Sequence, residues 1–98
     1  MYISENTKGN LEYVAHATAE DAVAHLLDSL GESYSEDFWP SKDGKSIKSS
    51  GKMYDFTIRV HAGPDAALKD LLNYDPEALP VALRALADAI DDGIKREI

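Results

Sequence analysis

Chemistry in this chain starts with three histidines, His16, His25 and His61, because no cysteine is present to serve as nucleophile, metal ligand or disulfide. Their spacing contains no H-x-x-x-H or His-Glu helix motif, so it points to no metal site. His16 and His61 both fall in segments that read as strands, where an acid–base or ligand-binding pair could form. Asp21, His25 and Asp28 fall at i, i+4 and i+7. That places a carboxylate on each side of an imidazole along one helix stripe, an arrangement that serves either a general base or a solvated face with local charge pairing. None of the serines lies in a G-x-S-x-G elbow or an S-x-x-K motif, and the Gly44–Gly51 stretch lacks the Lys-Ser/Thr of a phosphate loop. Catalytic machinery is therefore not expected, nor is a metal or cofactor.

Charge is the stronger signal. Eighteen acids against ten bases give a net charge of −8. Such a surface repels nucleic acid and anionic membranes and favours cationic partners. The charge is uneven: residues 1–41 carry eight acids and one base, residues 42–59 five bases and two acids, and residues 60–98 eight acids and four bases. Glu20, Asp21, Asp28, Glu32, Glu36 and Asp37 crowd into eighteen residues, followed by the aromatic run Phe38-Trp39. Carboxylates three or four apart on a helix lie about 5–6 Å from one another. A row of them can occupy a basic groove that otherwise holds a nucleic-acid backbone. Trp39 is a candidate interface anchor beside them, since tryptophan is enriched at binding hot spots. A second acidic group, Asp88, Asp91 and Asp92, alternates with Arg84, Lys95 and Arg96 and reads as ordinary helix-surface pairing.

The elements that must position these residues follow from periodicity. Tyr2–Ser4 and Leu11–His16 read as a hairpin closed by Lys8-Gly9-Asn10, with Leu11, Tyr13 and Ala15 on one side of the second strand. Thr18 is a good N-cap, and Ala19, Ala22, Val23, Leu26, Leu27 and Leu30 repeat at helical period up to Gly31. Residues 33–40 read as a strand ended by Pro40, and residues 45–51 as a polar loop. Residues 52–62 alternate. The pattern predicts a long strand with Tyr54, Phe56, Ile58, Val60 and Ala62 buried and Met53, Asp55, Thr57, Arg59 and His61 outward. Gly63-Pro64-Asp65 starts a helix, Asp75-Pro76 starts a further turn, and a last helix begins at Pro80 with Leu79, Leu83, Leu86, Ile90 and Ile94 on one side.

The expected fold is one α+β domain over residues 1–98, an antiparallel sheet of three to four strands with two to three helices packed on one face. No stretch approaches the roughly 20 apolar residues of a membrane span, and the start of the chain has neither the basic opening nor the apolar run of a leader. A cytoplasmic location is expected. A short, acidic, cysteine-free α+β chain without catalytic motifs shares its general character with small phage and mobile-element proteins that block bacterial defence enzymes, anti-CRISPR proteins among them. The functional expectation is a non-enzymatic inhibitor. It would bind a protein partner with a basic groove, without contacting nucleic acid or membrane, through Glu20, Asp21, Asp28, Glu32, Glu36, Asp37 and Trp39. If phage-encoded, it would act in the cytoplasm of the host bacterium. Two alternatives stand beside it. One is a homodimer or adaptor using the exposed sheet face with Lys52, Asp55, Thr57, Arg59 and His61. The other is a small enzyme or ligand-binding domain using the sheet histidines.

Overall fold

The computed structural model describes residues 1–98 and has the α+β architecture. Three strands, β1 (Tyr2–Asn6), β2 (Glu12–His16) and β5 (Ile58–His61), form an antiparallel sheet in the order β2-β1-β5. A separate hairpin is made by β3 (Phe38–Pro40) and β4 (Ile47–Ser49). Three helices complete the chain: α1 (Ala19–Leu30), α2 (Pro64–Leu71) and α3 (Leu79–Lys95).

Register decides which residues meet. Ile3 lies opposite both Ala15 and His61, and Glu5 lies opposite both Tyr13 and Arg59. Cross-strand partners share a face, so Ile3, Glu5, Tyr13, Ala15, Arg59 and His61 all point the same way. Two helices, α2 and α3, cover this face. Its core joins Ile3, Tyr13 and Ala15 to Ala67, Leu71, Ala82, Leu86 and Ala89. The opposite face carries Ser4, Val14 and His16 and is covered by α1, whose Ala19, Ala22, Val23, Leu26 and Leu30 are buried. The sheet is thus covered on both sides, whereas the sequence reading expected the helices on one face. The outer edge of β2 is also closed, by the Arg96 guanidinium donating to the Ala15 carbonyl at 2.8 Å.

Local signals account for the element ends. Thr18 Oγ1 accepts from the Asp21 amide at 3.1 Å, and Gly31 terminates α1 at φ 78°. Pro80 sits in the first turn of α3, where its missing N–H costs nothing.

Three further sequence readings need correction. The segment 33–40 begins with a 3-10 turn at Glu32–Tyr34, and only Phe38–Pro40 is a strand. Residues 45–51 are not all loop, because Ile47–Ser49 pairs with β3. The long strand at 52–62 is confined to Ile58–His61, with His61 buried and Ala62 exposed, the reverse of the expected sides. The alternation in 54–56 has another source: Tyr54 and Phe56 turn towards Tyr34 and Phe38 in an aromatic group with ring centroids 5.0–6.4 Å apart.

Gly93 sets the approach of α3 to the sheet. A Cβ there would lie 2.6 Å from the Ala15 Cβ and 3.0 Å from the Met1 Cε. The Ala15 Cβ is fixed to the backbone of β2, which is paired with β1, and cannot yield as a long side chain would. Gly93→Ala is expected to destabilise the protein, because overpacking costs about 1–3 kcal/mol against the ~1 kcal/mol that alanine adds as a helix former. Thermal unfolding of the variant checks this, and an increased Tm would contradict the close approach.

Candidate functional site

The acidic face is built by α1 and the turn after it. Glu20, Asp21 and Asp28 are exposed on α1, and Glu32 and Glu36 are exposed in the segment leading to β3. None of these five carboxylates forms an ion pair. On α3, Asp91 pairs with Lys95 at 3.0 Å and Asp92 with Arg96 at 2.9 Å, while Asp88 on α3 and Asp65 on α2 are, like the five, exposed without an ion pair. Glu20 and Asp21 also occupy the first turn of α1, where the helix dipole favours them. Glu20 has its stem beside Gly44 in the Lys42–Lys45 turn, so it borders the basic segment, whereas Asp28, Glu32 and Glu36 lie nearer the far end of the helix.

Asp37, the sixth predicted acid, is half-buried and accepts a hydrogen bond from the Tyr54 hydroxyl. Its carboxylate is engaged inside the protein, unlike the other five. Trp39 is 41% exposed, opposite Lys48 on β4. It lines a shallow depression of about 240 Å³ with Leu27, Leu30, Tyr34, Phe38 and Pro40, against the C-terminal end of α1. The depression is lined by Leu27, Leu30, Gly31 and Ser35 from the segment that carries Asp28, Glu32 and Glu36, so an exposed tryptophan and these acids belong to one stretch of surface-forming chain. Phe38 instead belongs to the internal aromatic group.

The bond to Asp37 pushes the Tyr54 hydroxyl up to about 12, since it holds the neutral phenol. A group whose folded pKa is raised contributes stability below its ordinary value and loses it as pH climbs to the folded one. This contribution is therefore complete below pH 10 and disappears towards pH 12. Tyr54→Phe is expected to remove a late step from the alkaline tyrosinate absorbance titration. Tyr13 and Tyr74 are raised too and keep their own late steps, so an undiminished late amplitude would contradict the assignment to Tyr54.

The structure assembles a second constellation that no sequence spacing indicated. Glu5 and His61 are 2% and 8% exposed, and the His61 Nε2 lies 2.7 Å from the Glu5 Oε1. Tyr74, just beyond α2, donates its hydroxyl to the Glu5 Oε2. Asp70 of α2 accepts from Arg59 at 2.7 Å. Tyr13, directly across the ladder from Glu5, has a buried hydroxyl with no well-formed hydrogen bond. Burial raises the Glu5 pKa, but hydrogen bonds from His61 and Tyr74 and the charges of His61 and Arg59 outweigh it, and the carboxyl stays below its usual range. Burial pushes the Tyr13 hydroxyl up, against the opposing effect of the Tyr74 hydroxyl beside it, and the Glu5 and Asp70 carboxylates add to the rise. Burial and the Glu5 bond do the same at Tyr74. An open cleft of about 590 Å³ between β5, α2 and the start of β4 reaches His61 and Asp70, with Lys45 and Lys69 at its rim.

The histidines do not form one site. His61 lies on the α2/α3 face and His16 on the α1 face. His16 is bonded to Ser4 Oγ at 3.0 Å, and its ring centroid is 5.1 Å from that of His25. Burial, reinforced by the His25 and Arg96 charges, lowers the His16 pKa. His25 is not flanked by Asp21 and Asp28 in the manner of an oriented base. Its partner is Glu12 on β2, at 3.4 Å. The sheet-face surface is likewise divided, with Arg59 engaged by Asp70 and His61 buried.

Comparison with family models, with curated proteins and with solved structures finds no match to the chain. No helix is long and apolar enough to cross a membrane.

Proposed function

We infer that the protein is a non-enzymatic acidic binding protein. It would inhibit a nucleic-acid-handling protein complex, in the manner of phage and mobile-element proteins directed against bacterial defence, by occupying the partner's basic groove. The observation that supports this reading is the set of exposed carboxylates without ion pairs, Glu20, Asp21, Asp28, Glu32 and Glu36, on one helix and its following turn. Unpaired carboxylates keep their full attraction for a cationic surface, and clustered charges of one sign steer association and fix register. Asp28, Glu32 and Glu36 carry the most weight because they belong to the stretch of chain that leads to Trp39 and stand away from the basic turn. Asp37 supports the surface from within through Tyr54.

Affinity capture with the full chain, eluted by a salt gradient in the presence and absence of double-stranded DNA, tests the reading. A nuclease, polymerase or CRISPR-type complex released by moderate salt and displaced by DNA is the expected result. A partner indifferent to both salt and DNA would exclude competition with nucleic acid.

A further inference from the structure

We propose that Glu5, His61 and Asp70 form a binding site for a divalent transition-metal ion of the Zn²⁺ class. This goes beyond the acidic-face reading and does not depend on it. One ligand atom from each of the three residues lies within 4.8 Å of the others. They come from β1, β5 and α2, and sheet register together with the docking of α2 brings them to one point.

Each donor is held as metal ligands are held. Asp70 Oδ1 accepts from Arg59, which leaves its second oxygen without a hydrogen bond. Glu5 Oε2 accepts from Tyr74, which aims Oε1 at His61. Outer hydrogen bonds of this kind orient ligating carboxylates. Arg59 is half-exposed and donates to Asp70 Oδ1, so it acts as that orienting partner. The Tyr13 hydroxyl is the second sign of a ligand. It is buried near the same carboxylates and makes no hydrogen bond of good geometry, the Tyr74 hydroxyl being its one neighbouring partner, where buried polar groups almost always have a well-formed bond.

Donor chemistry sets the class of ion. One imidazole and two carboxylates suit Zn²⁺ best among available divalent ions, then Mn²⁺. Mg²⁺ prefers oxygen ligands in strict octahedral geometry. The ion would enter between His61 Nε2 and Glu5 Oε1, and the proton they share would leave to solvent, because a ligating imidazole nitrogen is unprotonated. The cleft supplies the entry path. Its Lys45 and Lys69 rim favours water or a small anion in the remaining coordination position.

Calorimetric titration of the full chain with ZnCl₂, MnCl₂ and MgCl₂ tests the site. The expected result is one Zn²⁺ per chain, weaker Mn²⁺ and no Mg²⁺. Asp70→Asn and His61→Gln should each weaken Zn²⁺ at least about tenfold. The double variant His16→Gln/His25→Gln, which removes the partly buried histidine pair near Glu12, should leave it unchanged. Asp70 is only partly buried, so Asp70→Asn carries the test if His61→Gln does not fold. Absence of Zn²⁺ binding, insensitivity to Asp70→Asn, or loss of binding in the His16/His25 variant would each overturn the proposal.

Discussion

Glu5→Ala is expected to lower stability by about 3–5 kcal/mol, because it removes the acceptor shared by His61 and Tyr74, at about 1–3 kcal/mol for each polar group left unsatisfied. Small domains are stable by about 5–15 kcal/mol in total, so the variant would stand near its unfolding limit. At roughly 4 °C per kcal/mol or more, the Tm in metal-free buffer should fall by about 12 °C or more. The reason is specific to the register. Glu5 lies in the middle strand with Tyr13 on one side and Arg59 on the other, and it accepts from both His61 and Tyr74. Its removal leaves the buried His61 imidazole and the partly buried Tyr74 hydroxyl without the acceptor they share. Glu5→Gln keeps an acceptor for Tyr74 and should be milder. A fall of only a couple of degrees for Glu5→Ala in circular dichroism melts would show that the cluster does not hold the sheet to α2.

Leu86→Ala and Ile94→Ala should separate widely, although both leucine and isoleucine lie on the stripe that the sequence assigns to the α3 core. Leu86 is 3% exposed and sits in the core cluster, so its truncation should cost about 2–5 kcal/mol. Ile94 is 63% exposed, and its replacement should stay within about 0.5 kcal/mol. Chemical denaturation of the two variants measures the difference. Equal losses would mean that α3 is rotated about its axis relative to the arrangement described.

That rotation illustrates where periodicity stops being informative. The largest apolar residues of α3 suggest the face Leu79-Leu83-Leu86-Ile90-Ile94, yet the buried line is Ala82-Leu86-Ala89-Gly93. Small residues win because α3 lies close upon β2, where Ala15 leaves no room for a Cβ at residue 93. Close approach is a tertiary fact, and an amphipathic pattern records only hydrophobicity. The elements with strong local signals were legible: the first hairpin through its Lys8-Gly9-Asn10 turn, α1 through Thr18 and Gly31, and α2 through Gly63-Pro64. The expected strand at 52–62 failed because alternating aromatics serve two environments. Ile58–His61 pairs with β1, while Tyr54 and Phe56 pack on Tyr34 and Phe38.

The candidate sites divide in the same way. The acidic face is local in sequence, so its position could be read from charge spacing on one helix. Only Asp37 required the fold, because its engagement depends on Tyr54, seventeen residues away. The Glu5–His61–Asp70 constellation left no local trace. Glu5 and His61 are 56 positions apart and meet only because β5 returns antiparallel to β1. Glu5 and His61 stand among other polar residues in their strands, Ser4 and Asn6 in one and Arg59 in the other, a pattern that reads as outward-facing polar residues.

Affinity for the captured partner, measured over a series of salt concentrations for the natural chain and for Asp28→Lys/Glu32→Lys, addresses the acidic face most directly. Both positions are exposed and unpaired, so the double variant should keep the melting behaviour of the parent. Placing two like charges against a basic groove costs several kcal/mol, so binding should weaken by more than about a hundredfold, with a shallower dependence on salt. Equal affinity and equal salt slope for the two proteins would contradict the assignment of this face as the binding surface.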